Sequence, residues 1–157
     1  MTLYHGTNVD FAAIDLTRSN PWKDFGQGFY LTEVFVNADR MAYKKQLLFG
    51  GEAVVIAYEF DEGNLTNGAL SVLSFDKPTK EWAQFIYKNR NRKLRGKQHS
   101  FDVVYGPIAD DGVAYLLNRY EEGLISIDEL AQQLEFRELS YQYFFGTQRA
   151  IDLLRRI

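Results

Sequence analysis

Apolar residues recur along the chain with two periods, and the switches between them mark its elements. Thr2 to His5 reads as a short strand. Residues 6 to 27, rich in Gly, Asn, Asp and Ser and holding Pro21, read mostly as loop. Gly28 to Thr32 is a short aromatic strand, and Ala38, Met41, Ala42 and Leu48 fall on one helical face. Val54, Ile56, Tyr58 and Phe60 alternate with Val55, Ala57 and Glu59, which is strand spacing. Ser71 to Phe75 predicts another strand. Pro78 stands where a helix would start, and Trp82, Phe85 and Ile86 follow at i, i+3, i+4. Phe101 to Tyr105 is strand-like. Val113, Leu116, Leu117 and Tyr120 predict a helix that Gly123 stops. Ser126-Ile127-Asp128-Glu129 fits a capping box. Tyr141 to Phe145 predicts a strand, and Thr147 caps a last helix through Ile151 and Leu154.

Strands and helices are mixed in this order without strict β-α alternation, so the fold class is α+β. A length of 157 residues sets the expectation of one domain, residues 1 to 157. The chain has no Cys, which excludes a disulfide scaffold, a thiolate metal site and a Cys nucleophile. With 2 His, His-only zinc is excluded and a mixed His/carboxylate site is disfavoured, so no metal is expected. A net charge of −3 gives no global field toward nucleic acid. No secretory signal and no apolar run of membrane-spanning length appear, so a cytoplasmic location away from the membrane is the expectation.

Three segments carry candidate chemistry. Leu3-Tyr4-His5-Gly6-Thr7 puts an imidazole and an unobstructed backbone at a strand end. Taken alone, a structural His explains it as well. Asp24-Phe25-Gly26-Gln27-Gly28-Phe29-Tyr30-Leu31-Thr32 brings two Gly and an aromatic ring together, which also describes a turn into a core strand. Ser140-Tyr141-Gln142-Tyr143-Phe144-Phe145 carries an amide inside an aromatic strand, the alternative being a sheet-edge Gln facing water.

Together the three segments resemble the ADP-ribosyltransferase superfamily. The nearest branch is the poly(ADP-ribose) polymerase and diphtheria-toxin-like group with its His-Tyr-Glu triad. The chain is also similar, over nearly its whole length, to an uncharacterised bacterial family placed in that superfamily. That family has like Asp-Phe-Gly-x-Gly-Phe-Tyr and Gly-Pro-x-Ala-Asp-Asp stretches, the latter here Gly106 to Asp111. The resemblance implies two small, mostly antiparallel sheets around an NAD cleft, with flanking helices. It implies that His5 bonds a ribose hydroxyl, that the Gly6 backbone holds the nicotinamide carboxamide, and that Thr7 lies by the ribose. Tyr30 would stack on the nicotinamide, with Gly28 and Phe29 beside it. Met41, with Tyr43 nearby, stands at the place of a second stacking aromatic. Gln142 falls where the family has its Glu, so the catalytic set is His5, Tyr30 and Gln142.

The resemblance further implies NAD as substrate, mono-ADP-ribosyl transfer to an intracellular macromolecule, and a toxin's neutralising partner protein. Gln142 departs from the pattern. A neutral amide orients a hydroxyl but supplies neither base nor counter-charge. That disfavours polymer elongation and leaves mono-transfer, NAD hydrolysis, or an inactive module that binds NAD, ADP-ribose or a protein. Lys88 to Lys97 holds six of the 18 Lys and Arg residues. This run reads as a solvated helix end, the alternative being a contact for phosphate, RNA or an acidic partner.

Overall fold

A computed structural model describes residues 1–135 and 137–157. The elements run β1 (Thr2–Thr7), β2 (Phe29–Leu31), α1 (Phe35–Phe49), β3 (Val54–Glu59), β4 (Val72–Ser74) and α2 (Lys80–Arg90). After them come β5 (Val103–Pro107), α3 (Asp111–Glu121), α4 (Ile127–Leu134), β6 (Tyr141–Phe145), α5 (Gln148–Ile151) and β7 (Arg155–Arg156). The class is α+β. β1, β3 and β7 form a three-stranded sheet in that order, and β2, β6, β5 and β4 form a four-stranded one. All pairs are antiparallel except β4 with β5, which run parallel.

Alternation along β6 decides the layering. Tyr143 and Phe145 join Leu3, Ile56 and Tyr58 in a core shared by the two sheets, with Phe29 and Val103 beside them. Phe144 faces the other way, into a second core built by Phe25, Trp82, Ile86, Val113, Leu117 and Leu130 under α2, α3 and α4. The sheets touch through one antiparallel bridge, in which Tyr4 and Thr32 exchange both backbone bonds at 2.8 and 3.0 Å.

Caps follow the local chemistry. Ser126 and Glu129 make the reciprocal capping box, Asp110 accepts from Val113 N–H, and Thr147 accepts from Ala150 N–H. Three details correct the sequence reading. Thr79, not Pro78, starts α2, because its hydroxyl accepts from Trp82 N–H. On α1 only Ala38 and Ala42 are buried, whereas Leu48 is 64% exposed, since the helix lies on β1 by its smallest residues. The last helix ends at Ile151, and the chain beyond Leu154 turns back to pair Arg155 and Arg156 with β3. Among the described residues no helix is long and apolar enough to cross a membrane.

Candidate functional site

The site follows from where the two sheets part. Residues along an antiparallel strand present their N–H and C=O alternately to opposite neighbours. Tyr4 spends both on Thr32, so Gly6, two residues on, presents its pair on the same edge. There β2 has already swung away, because the Tyr30 carbonyl accepts from His5 Nδ1 at 2.8 Å instead of meeting a strand. The gap opens into a cavity of about 330 Å³. His5, Gly6, Tyr30, Met41 and Gln142 all line it.

Each wall has a local cause. Gly6 is required by α1: a Cβ there would overlap the Ala38 carbonyl. The Tyr30 side chain leaves β2 on the face opposite Phe29. Its hydroxyl donates to Gly26 C=O at 2.7 Å and accepts from Phe25 N–H at 3.0 Å, which pins the preceding loop. Gly26 takes φ 91°, a left-handed conformation that other residues resist. Gln142 lies on an interior strand, not at a sheet edge. It faces the same side as Phe144, whose backbone pairs with Tyr30, so register puts the amide on the face of the sheet that carries the tyrosine ring. Three other sequence candidates stand behind the wall. Thr7 is buried, its hydroxyl on Val9 C=O at 3.2 Å. Gly28 is covered by the Phe144 ring, and Phe29 backs the His5 ring at 4.4 Å between centroids.

The carbonyl at His5 Nδ1 only accepts, so Nδ1 carries the proton and Nε2 keeps its lone pair. Burial, then the Lys45 and Lys23 charges, push the imidazole down to about 3, so it is neutral at physiological pH. Lys45 donates to Gly6 C=O at 2.8 Å, and burial with the Lys23 charge brings it down to about 8. The Lys23 ammonium sits 4.7 Å from the centroid of the Tyr30 ring. Burial also raises the Tyr30 hydroxyl well above its ordinary value and raises the Asp24 carboxyl. Asp24 accepts from Ala109 N–H at 2.7 Å and from Arg90 at 3.3 Å. One carboxylate thus joins the Asp-Phe-Gly-x-Gly-Phe-Tyr and Gly-Pro-x-Ala-Asp-Asp stretches across the cavity.

Comparison with protein families matches residues 1–155 to a model described as protein of unknown function (DUF3990). The chain belongs to that family. No curated protein and no solved structure matches it. In this DUF3990 chain, sequence reasoning missed Lys23, Lys45 and Arg90 as cavity residues. Nothing near Lys45 in sequence distinguishes it from a surface lysine, while Arg90 falls within the basic run. The rest of that run behaves as solvated side chains: Lys88, Arg92, Lys93, Arg95 and Lys97 are exposed. A second cavity of about 320 Å³ lies behind the Asp24 loop. His99 lines it with both ring nitrogens engaged, one with Phe25 C=O and one with Phe101 N–H.

Proposed function

We propose that the chain is an ADP-ribosyltransferase-like domain that takes NAD in the cavity between its sheets and transfers ADP-ribose to an acceptor. The observation that carries this reading is convergence. His5, Gly6, Tyr30, Met41 and Gln142 come from β1, β2, α1 and β6, and they line one cavity. The residue types suit the chemistry. Neutral His5 offers Nε2 as acceptor to a ribose hydroxyl. The Gly6 edge offers backbone groups to a carboxamide. Tyr30 offers a flat ring held by two hydrogen bonds. The Gln142 amide would orient the 2′-hydroxyl of the nicotinamide ribose. In the reaction the bond between ribose C1′ and the ring nitrogen breaks, and nicotinamide leaves with the electron pair. The acceptor's nucleophile then bonds C1′ and releases its proton. With an amide in place of a carboxylate, orientation rather than counter-charge is what Gln142 supplies, which suits single transfer or hydrolysis over elongation. Cytoplasmic action and a neutralising partner protein belong to the same proposal.

A second reading has its own observation. Lys23 covers the Tyr30 ring and Lys45 occupies the Gly6 carbonyl. A domain that binds NAD or ADP-ribose without turnover would tolerate both. Nicotinamide release from NAD separates the two, measured for the native chain, Gln142→Ala and Gln142→Glu, with thermal melts as folding controls. The transferase reading predicts a slower Gln142→Ala, since an orienting bond of about 0.5–1.5 kcal/mol is lost, and a Gln142→Glu at least as fast as native. Equal rates in all three, or no release from any, overturn it.

A further inference from the structure

Cavity charge departs from what a nicotinamide ring alone requires. Lys23, Lys45 and Arg90 face one carboxylate, Asp24, and that carboxylate is already held by Arg90 and Ala109 N–H. His5, between the lysines, is neutral. Two positive charges are left over. Among the described residues neither Lys23 nor Lys45 has an acidic partner within ion-pair distance. Each ammonium rests on a weaker acceptor: an aromatic face for Lys23, a single backbone carbonyl for Lys45. A half-buried ammonium without a counter-ion is costly, and a cationic nicotinamide ring would make the imbalance worse. The two lysines come from different elements, the loop before β2 and the middle of α1, yet both act on the same imidazole.

We infer that Lys23 and Lys45 form a clamp for the diphosphate group of a nucleotide, and that their contacts with Tyr30 and Gly6 are resting positions from which the ligand draws them. Two point charges on flexible stems match a group carrying two negative charges, and lysine is well suited to phosphate. Leaving Tyr30 and Gly6 would uncover both surfaces that the ring end of a dinucleotide needs. The inference rests on the proposed reading for the direction of the ligand, but anion binding by the pair is tested without NAD.

Inorganic pyrophosphate, ADP and adenosine are titrated calorimetrically into the native chain, Lys23→Gln and Lys45→Gln at low salt. The clamp predicts that pyrophosphate and ADP bind the native chain and that adenosine binds at least tenfold more weakly than ADP. It predicts that each substitution weakens both anions at least tenfold. Melting temperatures supply a second readout. Without anion, Lys45→Gln should melt at or above the native chain, because an unpaired cation is gone, and it should gain less from added pyrophosphate. Adenosine binding as tightly as ADP, or pyrophosphate affinity unchanged by both substitutions, overturns the clamp. Nicotinamide release separates the two ideas. ADP binding that depends on both lysines, with no release from NAD, supports the clamp and removes the transferase. Release from NAD with no lysine-dependent anion binding does the reverse.

Discussion

His5 has its proton fixed at Nδ1 by a backbone carbonyl and its charge suppressed by burial and by two ammonium groups, Lys45 of α1 and Lys23 of the loop before β2. Ring titration by NMR should find His5 neutral from pH 7 down to about 3. His99 is also lowered, mainly by burial. An imidazole at His5 that titrates near 6.5 would contradict its burial first, and with it the placement of both lysines. Tyr30 yields a second prediction. Tyr30→Phe keeps the ring but strips partners from Gly26 C=O and Phe25 N–H, so it should cost about 1–3 kcal/mol in urea unfolding. At this scale the sequence was legible where a motif marks a residue. His-Gly-Thr pointed to His5, and Gly-Phe-Tyr pointed to Tyr30. Lys23 and Lys45 were not legible, because a lysine's meaning depends on which cavity its stem reaches.

α1 reaches the cavity because β1 lets it approach closely. Gly6 sits under Ala38 and Ala42, and α1 in turn delivers Met41 and Lys45 to the cavity wall. Gly6→Ala should therefore lift the helix at a cost of about 1–3 kcal/mol, the usual range for overpacking. It should also weaken anything the cavity binds, although no functional atom is removed. Unchanged stability in urea would show that α1 yields freely there. Most elements were legible from periodicity, since their apolar positions repeat at 2 or 3.6 residues. What escaped was set by partners distant in sequence. β7 is too short to carry a pattern and exists because Tyr58 and Glu59 pair with it. The parallel pairing of β4 with β5 depends on the crossover through α2 rather than on either strand's residues. On α1, Leu48 shared the face of Ala42 by spacing, yet the helix runs past the end of the sheet before reaching it.

Across the whole molecule, buried Asp102 and part-buried His5 give stability a common dependence on pH. Burial alone would raise the Asp102 carboxyl, but bonds from Thr147, from Ser71 N–H and from Arg149 outweigh it and hold the group below its ordinary value. That stabilisation is present above the unfolded carboxyl value of 3.8 and is lost as pH falls through the folded one. His5 is lowered from 6.5 to about 3, so the unfolded chain binds a proton in that window that the folded chain does not. Its neutral burial therefore costs stability progressively as pH drops from 6.5. Both effects have the same sign and the lowered His99 adds to them, whereas the raised Asp24 carboxyl works the other way, gaining stability as pH falls. The melting temperature should decline from pH 7 to 4 and fall more steeply below, and Asp102→Asn should flatten the lower part of the curve. An Asp102→Asn curve that falls as steeply as the native one below pH 4 would contradict the Asp102 assignment.

The proposed function puts an ADP-ribosyl ligand at the seam between the sheets, at Gly6 and Tyr30. Backbone amide shifts of the isotope-labelled chain, followed by NMR as ADP-ribose is added, test it most directly. Saturable shifts are expected at Gly6, Lys23, Tyr30, Lys45 and Gln142, with the second cavity around His99 and Gly146 little affected. Shifts confined to that second cavity, or none at millimolar ligand, would contradict it.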